Sequence, residues 1–122
     1  MTPREYQMMA MRTKDDVATD RLFKAVHEHE GTADILTACM GLCGEVGELV
    51  DMYKKHIFHE KELDEDHAKK ELGDVLWYAA LLCDAMEWDL ETIMAMNITK
   101  LEKRYPEGFD VDRANHRKDG DV

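Results

Sequence analysis

Two runs of apolar residues repeat with the step of an α-helix, and nothing else in the 122-residue sequence constrains its fold as tightly. Ile35, Cys39, Leu42, Val46, Leu49 and Tyr53 advance by 4, 3, 4, 3, 4 residues, and Ala68, Leu72, Val75, Ala79, Leu82 and Met86 do the same. This spacing lines one side of a helix and does not fit the two-residue alternation of a strand. Only two prolines occur, among many Ala, Leu, Met, Glu and Lys, so the expectation is an all-α fold. The length suits one domain, with a core that association would strengthen.

Capping chemistry divides the rest. Thr2, Pro3 and Glu5 form a capping box before a helix from 3 to about 12 that carries Tyr6, Met9 and Ala10. Residues 14–16 break that pattern. Thr19 or Asp20 then caps a short helix with Leu22, Phe23 and Val26, which Gly31 ends. His27 and His29, two apart, do not share a helical face, so they read as a solvated helix end. Thr32 is expected to cap the first long helix, which ends near 57–59, and Asp64 the second. Asp89 caps a last helix whose inward stripe includes Leu90, Ile93 or Met94, Asn97, Leu101 and Tyr105, and Pro106-Glu107-Gly108 stops it. The expected division is a domain over 1–109 and a charged, lightly packed tail over 110–122.

Charge narrows the partners. A formal net charge of −11 repels nucleic-acid backbone and anionic membrane, so neither is an expected partner. The longest apolar run, residues 75–83, is nine long, against about 18–20 for a membrane span. No signal-peptide pattern opens the chain. Cys39, Cys43 and Cys83 fall in helical apolar patterns without a Cys-x-x-Cys, so they read as buried reduced thiols in a cytoplasmic protein.

The chemistry lies in two acidic motifs, Glu45-Val46-Gly47-Glu48 and Glu71-Leu72-Gly73-Asp74. Each sets two carboxylates three residues apart, on one side of a helical turn and beside an apolar stripe. A single such pair in a chain with 27 Asp and Glu would be ordinary surface. Two pairs in register with two helices make a cage of hard oxygen ligands suited to Mg²⁺, or to Mn²⁺. Gly41, Gly44 and Gly47 lie inside the same helix. Each costs about 1 kcal/mol there relative to Ala, which implies close approach by another helix or by a ligand. Lys55 follows Glu48 by two turns, Tyr78 follows Glu71 likewise, and Asn97, Lys100 and Arg104 form a polar stripe on the last helix. Cations beside an acidic metal cage suit a polyphosphate ligand.

The ordered set of motifs resembles the MazG-like nucleoside triphosphate pyrophosphohydrolases of the all-α NTP pyrophosphatase superfamily. The matching stretches are Glu5-Tyr6-Gln7, Gly41-Leu42-x-Gly44-Glu45-x-Gly47-Glu48, Lys54-Lys55-His56-Ile57-Phe58-His59, Glu71-Leu72-Gly73-Asp74-Val75-Leu76-Trp77-Tyr78, and the run from Asn97 through Lys100, Arg104 and Tyr105-Pro106 to Gly108-Phe109. Residues 16–32 depart from the pattern. The resemblance implies a bundle of four main helices with short extra N-terminal helices. It implies an obligate homodimer or dimer of dimers, and Mg²⁺-dependent cleavage of an NTP or dNTP to the monophosphate and pyrophosphate. It makes Glu45, Glu48, Glu71 and Asp74 the metal ligands and catalytic residues, with Lys55, Asn97 and Lys100 as phosphate or sugar contacts, to which the helical spacing adds Arg104 and Tyr78 as candidate substrate contacts. A metal in such a cage bridges phosphate oxygens and acidifies a bound water, whose proton one glutamate accepts.

Two other readings compete. A ferritin-like di-iron bundle needs Glu-x-x-His motifs, and the sequence has none. A non-catalytic nucleotide sensor or helical interaction module would keep the fold without turnover. The base preference is open: Tyr6, Gln7, Trp77 and Trp88 can stack on or bond to a base, or simply pack. The unbroken apolar run 75–83 leaves about half of its helix without a partner inside a lone bundle, and a two-fold copy of the chain would cover it.

Overall fold

Three of the helix starts are set by the side chains that the sequence nominates. In a computed structural model describing all 122 residues, Thr2 accepts from Glu5 N at 3.2 Å while the Glu5 carboxylate takes Thr2 N at 2.6 Å. Asp64 accepts from His67 N at 2.9 Å, and Asp89 from Thr92 N at 2.9 Å. The order is α1 (Pro3–Ala10), a 3₁₀ turn (Met11–Thr13), α2 (Ala18–Glu28), α3 (Thr32–Phe58), α4 (Glu65–Ala85), α5 (Leu90–Arg104) and α6 (Val111–Asn115). There is no strand, and no helix is long and apolar enough to cross a membrane.

The chain divides into two units, Met1–Ala33 and Asp34–Val122. In the first, α2 starts one or two residues before the expected caps. Val17 occupies the N-cap position, and Asp15 organises the approach by accepting from Val17 N at 3.0 Å and from Arg21 Nε at 2.8 Å. Thr32 is the first residue of α3 rather than an accepting cap. Its hydroxyl donates backwards to the carbonyls of Ala25 (3.0 Å) and His29 (2.7 Å), closing the turn after α2.

In the second unit α3 and α4 run antiparallel. Gly41 of α3 faces Tyr78 of α4, and Glu45 faces Glu71 and Asp74. Leu49 and Tyr53 share a cleft with Ala68 and Leu72. Each turn forward on α3 meets a turn backward on α4. The connection closes on a left-handed residue, Glu60 (φ 52°), with Lys61 N bonded to the Lys55 carbonyl at 3.2 Å and the His56 ring to the Lys61 carbonyl at 2.8 Å. Gly41 is where packing requires a glycine: a Cβ there would lie 2.3–2.5 Å from the Tyr78 ring. Gly44, Gly47 and Gly73 face open space within the chain.

Burial corrects the phase of both helices. On α3 the covered side runs through Ile35, Ala38, Leu42, Glu45 and Leu49, while Cys39, Val46 and Tyr53 are exposed. On α4 it runs through Ala68, Glu71, Val75, Tyr78 and Leu82, and Leu72 is exposed. The reason is that both helices are apolar on more than one side, so a 4-3 step fits neighbouring stripes equally. The cysteines divide accordingly: Cys83 is buried, but Cys39 and Cys43 are exposed. Of the apolar run on α4, Leu76 and Trp77 point outward, at 65% and 60% exposure, whereas Leu81 is half-buried. Only Ala38 and Cys83 are buried in the single chain. On α5 every residue but Lys100 and Arg104 is exposed, Asn97 included.

α5 stops as expected, with Tyr105 capping it and Gly108 turning at φ 91°. The following segment has more structure than its composition predicts. Asp110 caps α6 by accepting from Arg113 N at 2.8 Å, and Asp121 returns to the Arg104 side chain.

Candidate metal centre

Glu45, Glu71 and Asp74 are brought together by the antiparallel register of α3 and α4. One carboxylate oxygen from each lies within 4.8 Å of the others. Three carboxylates that close repel, and the strain falls on Glu45. Its carboxyl is pushed above the usual range, first by desolvation and then by a side-chain hydrogen bond with Glu71, with Asp74, Glu71 and Glu48 adding like charge. A donor set of hard oxygens that cannot all ionise comfortably alone is the set a divalent cation relieves, and it fits Mg²⁺ or Mn²⁺ rather than a thiophilic metal.

Glu48 lies outside this cluster. It is exposed on α3, one turn beyond Glu45, and is felt by Glu45 and by Lys55 through charge alone. Two residues that sequence reasoning did not single out complete the surroundings. His67 Nε2 meets Glu71 Oε1 at 2.7 Å, one turn before it on α4. Asp51 holds Lys55 Nζ at 2.5 Å and Lys54 Nζ at 3.0 Å. Asp51 extends the series Glu45, Glu48 by another three residues, and His67 precedes Glu71 by four, so both spacings were present in the sequence. The Asp51 pair holds Lys55 charged and keeps Asp51 below the ordinary carboxylate range.

The other expected contacts are dispersed. The Tyr78 ring covers Gly41 and meets Trp77 edge-on at 5.0 Å between centroids. Asn97 is exposed on α5. Lys100 is half-buried, and Arg104 is engaged by Asp121. Leu49, Tyr53, Leu63, Ala68 and Leu72 line a largely apolar cleft of about 370 Å³, one turn from the carboxylates towards the α3–α4 connection.

An alignment 74 positions long, covering 57% of this chain, is 38% identical to the gene 37 protein of Mycobacterium phage L5. It spans 64% of that relative's length. No solved structure matches. The family model described as the MazG nucleotide pyrophosphohydrolase domain matches residues 33–109, more than half of the chain and all of α4, α5 and the three clustered carboxylates. The chain is a member of the MazG nucleotide pyrophosphohydrolase family.

Proposed function

We propose that the protein hydrolyses a nucleoside triphosphate, ribo or deoxy, to the monophosphate and pyrophosphate, using Mg²⁺ held by Glu45, Glu71 and Asp74. The observation that carries this reading is the convergence of those three carboxylates within 4.8 Å, inside the stretch matched to the pyrophosphohydrolase family. A bound Mg²⁺ supplies charge against the phosphate oxygens and acidifies water at neutral pH.

The chain's own groups do the rest. Glu45, Glu71 and Asp74 would hold the cation, and Glu45, whose carboxyl is raised by desolvation and by its hydrogen bond with Glu71, would have to be deprotonated to serve as a ligand. His67 orients the Glu71 carboxylate through its ring nitrogen. In this reading Glu48, exposed and one turn beyond Glu45, accepts the proton of the attacking water, while Glu45, Glu71 and Asp74 hold the cation. Lys55, Lys100 and Arg104 supply cationic donors for phosphate oxygens, with Asn97 and Tyr78 as polar contacts on α5 and α4.

The active form in this reading is a homodimer, or a dimer of dimers. Its support is the apolar surface of a single chain: Val50, Ile57, Leu76 and Trp77 are each 60–65% exposed. A two-fold partner laid over that surface supplies the missing core.

The test is pyrophosphate release from a panel of common NTPs and dNTPs with and without Mg²⁺. Release that needs Mg²⁺ supports the enzyme. Tight binding of a nucleotide with no release from any substrate would instead make the chain a sensor built on the same fold.

A further inference from the structure

The segment after residue 109 lies beyond the family match and builds a site of its own. α6 carries the chain back towards the end of α5, and a turn from Lys118 to Asp121 (Asp121 N to the Lys118 carbonyl, 3.1 Å) takes Gly120 at φ 84°. There Asp121 receives Arg104 in a two-pronged pair, Nε to Oδ2 at 2.7 Å and Nη2 to Oδ1 at 2.5 Å. The Arg104 side chain is only 9% exposed and that of Asp121 19%. Around the pair is a cavity of about 570 Å³ lined by Lys100, Lys103, Arg104, Arg113, Arg117 and Lys118, with Asp119 and Asp121 as its acids. Six of the sixteen Lys and Arg of a chain with net charge −11 thus meet at one place. Asp121 is held below the usual carboxylate range by the Arg104 bond first, and by the charges of Arg117 and Lys100 as well.

We propose that this cavity binds a di- or triphosphate group, and that Asp121 is its resident occupant, displaced when the phosphates enter. The guanidinium fork of Arg104 accepts carboxylate and phosphate in the same geometry. One carboxylate answers only part of the surrounding charge, with six cations against two acids, so the favoured ligand carries several negative charges in a compact form. The volume is that of a small-ligand pocket, well beyond the needs of a single phosphate. A long polyanion such as nucleic acid would meet the acidic remainder of the chain. The proposal shares Lys100 and Arg104 with the substrate reading above, and adds the tail residues Arg113, Arg117, Lys118 and Asp121.

The experiment uses the full chain carrying Asp74→Asn, without Mg²⁺, so that neither turnover nor the metal centre enters. Sodium pyrophosphate is titrated by calorimetry at low salt. Binding is expected, weakened tenfold or more by Arg117→Glu combined with Lys118→Glu, both at exposed positions where a fold defect is not expected. Asp121→Asn is expected to tighten it roughly tenfold, the scale of one charge-assisted hydrogen bond that no longer has to be broken. A non-hydrolysable nucleoside triphosphate that competes with pyrophosphate would assign the cavity to the substrate's phosphate chain. Pyrophosphate binding that the analogue leaves untouched would assign it to the free product. Pyrophosphate that fails to bind the Asp121→Asn chain, or binds with an affinity that neither set of variants moves, overturns the proposal. Failure here leaves the metal-dependent hydrolysis assay to stand or fall on its own.

Discussion

The register of α3 against α4 sets the carboxylate cluster, and Gly41 is the position that tests it most directly. An added Cβ would lie 2.3 Å from Tyr78 Cε1, 2.4 Å from Cδ1 and 2.5 Å from Cζ. Carbon atoms in ordinary contact sit about 3.5–4.0 Å apart, so the ring must retreat by more than an ångström, and Trp77 lies edge-on against it. Overpacking of that kind costs about 1–3 kcal/mol. Alanine returns about 1 kcal/mol through helix propensity, leaving Gly41→Ala less stable by up to about 2 kcal/mol. The same change at Gly44, where no atom lies within 4 Å, is expected to stabilise by up to about 1 kcal/mol. If a second copy covers Gly44 the gain becomes a loss, so its sign reads the interface. Urea unfolding followed by helical circular dichroism, at one protein concentration, measures both. Tyr78→Ala should convert Gly41→Ala from harmful to beneficial, a coupling of about 1–3 kcal/mol. A Gly41→Ala protein as stable as Gly44→Ala, with no coupling to Tyr78, would refute the register. Glu45, one turn from Gly41 on the same side, would then not face Glu71 and Asp74.

Other expectations follow from the site. Asp74→Asn should abolish Mg²⁺ binding and turnover, whereas Glu48→Gln should keep the metal and lose about 10²–10⁴ in turnover; a near-normal rate for Glu48→Gln at limiting Mg²⁺ removes its role. His67→Ala should weaken metal affinity by about 10–100-fold with the helices intact, measured by Mn²⁺ titration. Because the Glu45 carboxyl is raised above the ordinary range and must be deprotonated to bind a cation, apparent Mg²⁺ affinity should be full at neutral pH and fall as pH drops, beginning above the usual Glu value of about 4.3; affinity constant down to that pH contradicts Glu45 as a ligand. Leu76→Arg should cost assembly and activity together, since each large apolar side chain left uncovered forgoes about 1.5–3 kcal/mol; a wild-type monomer of 14.1 kDa by light scattering, fully active at assay concentration, would sink the dimer.

The helices were legible because capping and period are local properties. Thr2, Asp64 and Asp89 act as the sequence implies, since a short acceptor before an apolar-periodic run has a backbone N–H to satisfy wherever it lies. Asp121 was not legible, because its partner Arg104 is seventeen residues away and only the return of the chain through α6 joins them. Phase was the other loss, and it has one cause in both long helices. The 4-3 step fixes a period without fixing which of two adjacent apolar stripes is covered. In α3 the covered line passes through Glu45 instead of Val46, and in α4 through Glu71 instead of Leu72. Ile35, Leu42 and Leu49 of α3 and Ala68, Val75 and Leu82 of α4 are covered as the spacing implies, so only the intervening positions shift by one residue. Val46 is left 47% exposed and Leu72 52%. Half-covered acids beside exposed apolar residues at the same two turns are unfavourable in a lone chain. The arrangement becomes favourable when a cation neutralises the inner face and a second chain covers the outer one. In the proposed reading the metal centre and the interface use adjacent faces of the same two helices, and a variant with Glu45 and Val46 exchanged should lose both.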